Sequence, residues 1–150
     1  MTAAAAVVAA AVGAVALPAA AADHHYPGRV HSVVYISSVR YDSPGRDDRS
    51  NWSLNQEWVD ITNSTRRAVN LDGWTLRDED GHTYTFRHVR LDRRSTVRVH
   101  TGVGRDSRTD LFQDRRAYVW NNDHDTATLR NDRDRFVDDV AWGRHRGHRR

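Results

Sequence analysis

Three places in this 150-residue chain carry residue types that could do chemistry. The first is Asp23-His24-His25. If a leader is removed after Ala22, the new terminus offers a free amine, two amide nitrogens and the imidazole of His25, the third residue. Four nitrogens so placed suit square-planar Cu(II) or Ni(II). A cut one residue away changes which histidine is third, and two solvated histidines on a polar end are the plainer alternative. The second place is Asn121-Asn122-Asp123-His124-Asp125, in which Asn122, Asp123 and Asp125 could supply oxygen ligands to Ca²⁺. The run lacks the glycine and the twelfth acidic ligand of an EF-hand loop, and the same residues cap the backbone of an ordinary turn. The third is the end of the chain, Arg144-His145-Arg146-Gly147-His148-Arg149-Arg150. Arg144, Arg146, Arg149 and Arg150 could contact phosphates of nucleic acid, teichoic acid or lipid head groups. With no aromatic residue among them for base stacking, such binding should be salt-sensitive and unspecific; a solvated, disordered terminus uses the same residues.

Other clusters are weaker. Asp78-Glu79-Asp80 fits a hairpin tip, and Asp47-Asp48 lies between Arg46 and Arg49 as internal ion pairs. Trp52, Trp58 and Trp142 could form a carbohydrate-stacking surface, although Trp58 and Trp142 fit the inside or edge of a sheet sandwich better. The chain has no Gly-x-Ser-x-Gly elbow, no His-Glu-x-x-His and no phosphate-binding glycine loop. It has no cysteine, which excludes thiolate metal sites and cysteine nucleophiles. A domain of roughly 130 residues buries enough surface to stand without disulfides.

The formal charge of +3 belongs to one end. Residues 23–143 carry 19 Arg against 20 acids, a balance of −1, and the last seven residues add four Arg. A body with Arg and Asp interspersed is a solvated surface laced with ion pairs. All 23 basic residues are Arg.

The elements that must position these groups read as short strands. Around Glu57–Thr62, Val59 and Ile61 point one way and Trp58 and Asp60 the other, the period-two signature of a half-buried strand. Asn63-Ser64-Thr65-Arg66-Arg67 then breaks the alternation, a short second strand follows, and Leu71-Asp72-Gly73-Trp74 turns the chain back. Val30–Tyr41 reads as a strand buried on much of both faces, and Asp42–Leu54 as a long polar loop turning at Pro44-Gly45. Further strands are expected at Trp74–Asp78, His82–Arg87, Thr96–His100, Arg116–Trp120, Thr126–Arg130 and Arg135–Val140, with no convincing helical period anywhere. Short strands between turn clusters imply an all-β sandwich.

One register can be derived. A three-residue loop, Glu79-Asp80-Gly81, sets Leu76 opposite Tyr84 and Trp74 opposite Phe86, so that all four share one face. Gly81 then takes the left-handed position of a bulged turn. The sequons Asn51-Trp52-Ser53 and Asn63-Ser64-Thr65 read as surface turns rather than glycan sites.

Residues 3–17 are nearly all Ala and Val, and Ala20-Ala21-Ala22 fits a small-residue cleavage rule. Residues 1–22 are therefore expected to be a secretory signal, although no basic residue precedes the apolar run. An uncleaved leader acting as a membrane anchor is the alternative. Residues 23–29 read as a flexible lead-in, 30–143 as the domain and 144–150 as a basic tail.

Taken together, several blocks resemble the lamin tail domain. They are Val39-Arg40-Tyr41-Asp42-Ser43-Pro44-Gly45, the run Asn55 to Leu76 with its Glu-Trp-Val and Leu-x-Gly-Trp-x-Leu, and Asp78-x-x-Gly81-His82-x-Tyr84-x-Phe86. Val97-Arg98-Val99-His100-Thr101-Gly102, Tyr118-Val119-Trp120-Asn121-Asn122-Asp123, Asp125-Thr126-Ala127-x-Leu129 and Val137-Asp138 complete them. The similarity spans about residues 31–142 and is nearest to free-standing secreted bacterial members, as the Ala-rich leader and all-Arg composition of an actinobacterial type would fit. It departs at His124, where a glycine is expected, and at Asp134-Arg135, which replaces Asp-Gly; His tolerates left-handed φ. The resemblance implies an immunoglobulin-like β-sandwich with no shared catalytic residues and no cofactor. In bacteria such domains often accompany secreted nucleases and phosphoesterases. The expected function is a secreted, non-catalytic interaction module for a polyanion or an extracellular protein. The alternatives are an exported metal-binding protein, with Cu/Ni or Ca, and an accessory to a secreted nuclease.

Overall fold

The computed structural model describes residues 33–143. The leader, the Asp23-His24-His25 motif and the arginine tail lie outside the described residues. Ten strands and one short helix follow in the order β1 (Val34–Arg40), α1 (Asn51–Asn55), β2 (Trp58–Asn63), β3 (Val69–Asn70), β4 (Thr75–Arg77), β5 (Thr83–Thr85), β6 (Arg90–Leu91), β7 (Thr96–His100), β8 (Asp110–Phe112), β9 (His124–Arg130) and β10 (Phe136–Gly143). One sheet runs β1-β2-β7-β8, the other β10-β9-β4-β5, and β3-β6 form a small ribbon. The architecture is an immunoglobulin-like β-sandwich. Among the described residues no helix is long and apolar enough to cross a membrane.

Alternation builds the core. In the first sheet Val39, Val59, Val99 and Leu111 lie in one cross-strand row, and Ile36, Ile61 and Val97 in the next. Val59, Ile61, Val97 and Val99 are each at most 1% exposed. The second sheet answers with Tyr84, Leu76, Leu129 and Asp138 in one row. Phe86, Leu71, Leu91, Val119 and Trp120 fill the ends from loops.

The β4–β5 hairpin has the register derived from sequence: Leu76 opposite Tyr84, Thr75 opposite Thr85 and Arg77 opposite Thr83. The Phe86 N–H donates to the Trp74 carbonyl at 2.9 Å, and Gly81 has φ +97°.

Other expectations need correction. The first strand is not buried on both faces: Val34 and Ile36 are inside, whereas Val33, Ser37 and Ser38 are exposed. A β-bulge between Ile36 and Ser38 adds one residue, so the inward set is Val34, Ile36 and Val39 instead of a strict alternation. The polar loop contains α1, a five-residue helix capped by Ser50, whose Oγ accepts from the Ser53 N–H at 3.1 Å. Arg116–Trp120 is not a strand, and the outermost strand of that sheet is β8, parallel to β7. His124 needs no left-handed φ; it opens β9 opposite Gly143, which carries φ +94°. In the β9–β10 hairpin the left-handed residue is Asp134, at φ +58°. Asn63 is no surface turn: it is fully buried, its amide donating to the carbonyls of Arg67, Leu91 and Asp92, and its Oδ1 accepting from Thr65. No glycan fits there.

Candidate functional site

Buried polar groups come first, because their partners decide whether anything is left for chemistry. Glu57 sits between α1 and β2 and is 1% exposed. Its Oε1 accepts from the Thr101 hydroxyl at 2.7 Å and from the N–H groups of Val119 at 2.8 Å and Trp120 at 3.2 Å. Those bonds explain why Arg116–Trp120 is not a strand: two of its amides are turned inward onto a carboxylate. Burial outweighs the hydrogen bonds and pushes the Glu57 carboxyl up to about 7.

The Asn121–Asp125 loop has a similar logic. Asp125 is buried, with Oδ1 accepting from Glu79 N–H at 2.9 Å and Thr126 N–H at 2.7 Å, and Oδ2 accepting from Asn121 N–H at 3.0 Å. Asn121 Oδ1 caps the Asp123 N–H, and the Asn122 amide donates to Asp42. Asn122 and Asp123 are exposed and Asp125 points inward, so the three candidate calcium ligands do not converge. Among the described residues no group of three or more His, Asp or Glu stands close enough together to hold a metal ion. The candidate copper ligands Asp23, His24 and His25 and the basic Arg144, Arg146, Arg149 and Arg150 fall outside the described residues.

The tryptophans divide. Trp142 stacks on Tyr41 at 4.6 Å and meets Trp120 edge-on at 5.9 Å, with its indole N–H on the Asn121 carbonyl at 2.7 Å. Trp58 lies under the Arg98 guanidinium, which is 3.5 Å from the ring centroid. Asp60 binds the same guanidinium through two hydrogen bonds, of 2.8 and 3.0 Å. On that face His100 Nε2 meets Asp110 at 2.7 Å, and this bond, followed by the Thr109 hydroxyl, holds the Asp110 carboxyl below its usual range. Trp52 alone is strongly exposed, at 63%.

Sequence reasoning missed a surface depression with two lobes. One, of about 320 Å³, is lined by His82, Arg115, Arg116, Ala117, Tyr118 and Val119. The other, of about 380 Å³, is lined by Arg49, Asn51, Leu54, Val103, Arg115 and Arg116. The lobes share Arg115 and Arg116, and no carboxylate lines either. Arg115 is tied down through Gln113 and the Thr83 carbonyl, whereas the side chains of Arg49 and Arg116 make no ion pair or hydrogen bond among the described residues. His82 is oriented by buried Asp78, whose Oδ2 lies 2.6 Å from Nδ1 while its Oδ1 accepts the His82 N–H at 2.7 Å. Four distant segments meet here, around residues 50, 82, 103 and 117, and only their arginines were visible in sequence.

Helix α1 is held over this region by side chains. Asn51 bonds both the N–H and the carbonyl of Val103, and the Asn55 amide donates to the same carbonyl. Gly102 makes that approach possible, since a Cβ there would lie 2.6 Å from Asn55 Oδ1 and 2.7 Å from Asn51 Oδ1.

The strand order and the Glu57 knot accompany a match of residues 28–144 to the family model of the Lamin Tail Domain. The chain belongs to the lamin tail domain family. A comparison with curated proteins finds no match. Within this lamin tail domain the residues that carry the family likeness, Glu57, Gly73, Thr101, Gly102 and Asp125 among them, have structural partners. Arg49 and Arg116, like most arginines of the described surface, have side chains without a hydrogen-bond or ion-pair partner, and they and the exposed Trp52 lie in the loop and helix before the likeness resumes at Asn55 and in the 113–117 connection.

Proposed function

We infer that this lamin tail domain is an exported, non-catalytic binding module that contacts polyanions. The observation that carries the reading is the distribution of charge: the buried carboxylates of Glu57, Asp78 and Asp125 are committed to backbone and side-chain donors, while Arg49 and Arg116 stand unpaired at the described surface and the sequence adds four arginines in its last seven residues. Where unpaired guanidinium groups cluster on a rigid sandwich that is charge-balanced as a whole, they attract polymeric phosphate locally by releasing its counterions. Export rests on the Ala-rich residues 3–22 and the Ala20-Ala21-Ala22 site. Buried carboxylates held by fixed hydrogen bonds are the arrangement of a scaffold, and they supply no activated nucleophile.

The test is fluorescence anisotropy of labelled oligonucleotide and of poly(glycerol phosphate) against the full mature chain over a salt series. Binding should weaken steeply with salt. Changing Arg144, Arg146, Arg149 and Arg150 to Gln should lower the log–log salt slope by up to about 3, at roughly 0.7 per lost contact to a single strand. Identical binding before and after that change removes the tail from the reading.

A further inference from the structure

We propose that the two-lobed depression lined by Arg49, Arg115, Arg116 and His82 is a binding site for single-stranded nucleic acid, separate from the arginine tail. The proposal rests on the polyanion reading for its ligand class and adds a place on the folded body. Its first support is charge: the guanidinium groups of Arg49 and Arg116, unpaired among the described residues like most arginines of this surface, are here gathered with Arg115 around one depression. The second is the lining. Neither lobe contains a carboxylate, although Asp47, Asp48 and Asp114 are close in sequence. Asp48 turns to the Ser50 N–H and Asp114 to the Gly104 N–H. An anion entering the depression therefore meets donors first, and the Asp78 carboxylate is shielded behind His82.

The third support separates a nucleic acid from other polyphosphates. Tyr118 lines one lobe, and the helix whose Asn51 and Leu54 line the other also carries Trp52, which lies outside both linings and is 63% exposed. A tryptophan left this open on a rigid helix turn offers a stacking platform, and platforms beside arginines are how proteins hold unpaired bases. The arginine tail has no such aromatic partner. Poly(glycerol phosphate) has no base to stack and would gain nothing from Trp52. The lobes share a wall at Arg115–Arg116, so successive phosphates of one strand can engage Arg49 on one side and Arg116 on the other.

The floor is set by the fold. Glu57 turns the amides of Val119 and Trp120 inward, which leaves residues 115–119 as an irregular ledge with side chains facing the depression. Asn51 and Asn55 clamp α1 to Val103 on the opposite side. Glu57 and Asn51 are thus positioning residues, the phosphate contacts fall to Arg49 and Arg116, and Trp52, outside the lining, is offered to a base beyond the depression.

The experiment titrates a labelled oligothymidylate of about ten nucleotides against the full mature chain, the Arg49→Gln/Arg116→Gln double variant, Trp52→Ala, and the chain with Arg144, Arg146, Arg149 and Arg150 changed to Gln. Unchanged thermal melting of each variant is the control for folding. The double variant should lose about tenfold or more in affinity and about 1.4 in salt slope, two contacts at roughly 0.7 each. Trp52→Ala should lose about tenfold with its salt slope unchanged, because stacking releases no counterion. The tail variant should keep the groove-dependent part. Binding lost in the tail variant but unaltered in the double variant overturns the groove and leaves the polyanion reading standing. No binding by the unmodified chain overturns both. Poly(glycerol phosphate) competing as well as oligothymidylate, with Trp52→Ala silent, refutes the nucleic-acid assignment.

Discussion

Replacing Glu57 by Gln tests the central knot of the fold. The residue is buried, and its carboxyl is raised from an ordinary 4.5 to about 7 in the folded chain. The folded state therefore holds a proton that the unfolded state has released throughout the interval between those values. Where the native state binds more protons, stability falls as pH rises. Each unit is worth about 1.4 kcal/mol, so across the two to three units involved the wild type should lose roughly 3 kcal/mol relative to a residue that does not titrate. Below about 4.5 the group contributes no pH dependence, and above about 7 the loss is complete and constant. Glutamine copies the protonated acid: its carbonyl oxygen can still accept from the Thr101 hydroxyl and the Val119 and Trp120 amides. Urea denaturation of both proteins, followed by tryptophan fluorescence, gives their stability difference at a series of pH values, and the other titrating groups cancel in that difference. The two should be matched within about 1 kcal/mol near pH 4.5, with Glu57→Gln the more stable by roughly 3 kcal/mol near pH 7.5. A difference that does not change with pH, or one that moves in favour of the wild type as pH rises, refutes the reasoning. Glu57→Ala should lose at least about 3 kcal/mol near pH 4.5, since it strands three buried donors, and that deficit should shrink by roughly 3 kcal/mol by pH 7.5, since alanine does not titrate.

Two glycines give sharp geometric predictions. Gly81→Val should cost about 1–2 kcal/mol in chemical denaturation, because φ +97° strains any β-branched residue even though only Arg77 lies near the new Cβ, at 3.4 Å. A melting temperature equal to wild type would contradict the three-residue loop. Gly102→Ala should cost about 1–3 kcal/mol for a different reason, the collision of its Cβ with Asn51 and Asn55, and should raise amide hydrogen exchange in α1 before the rest of the fold. Uniform exchange across the sandwich would place the damage elsewhere.

How much of this was legible depended on how regular the backbone is. In β2 and β7 strict alternation put Val59, Ile61, Val97 and Val99 on the right face. The β4–β5 register could be derived because only one loop length gathers Trp74, Leu76, Tyr84 and Phe86 on one side. The bulge at Ser37 defeats the same argument in β1, since one extra residue inverts the pattern halfway along. Tyr118-Val119-Trp120 has the composition of a strand, but its hydrogen bonds go to a side chain 60 residues earlier, and alternation carries no trace of that. Helix α1 is too short to show a period; its one local sign was Ser50, a capping residue at the right distance from Ser53. Of the candidate ligands, Asn122, Asp123 and Asp125 were adjacent in the chain but are turned different ways by the backbone groups they cap. The arginine depression joins residues near 50, 103 and 116, and a contact at that separation has no signature in a single sequence.

Asp138 bears on how this molecule tolerates its neighbours. Its carboxylate, on the outermost strand of one sheet, accepts the Ile36 N–H of the outermost strand of the other at 2.9 Å. An outer strand with free amides is a template on which a second chain can add its own strand, the first step of runaway self-association. By occupying the Ile36 amide beside the Ser37 bulge, Asp138 blocks part of that template, and the bulge twists what remains. The sandwich thus carries part of its protection against polymerising in a single inward-facing acid.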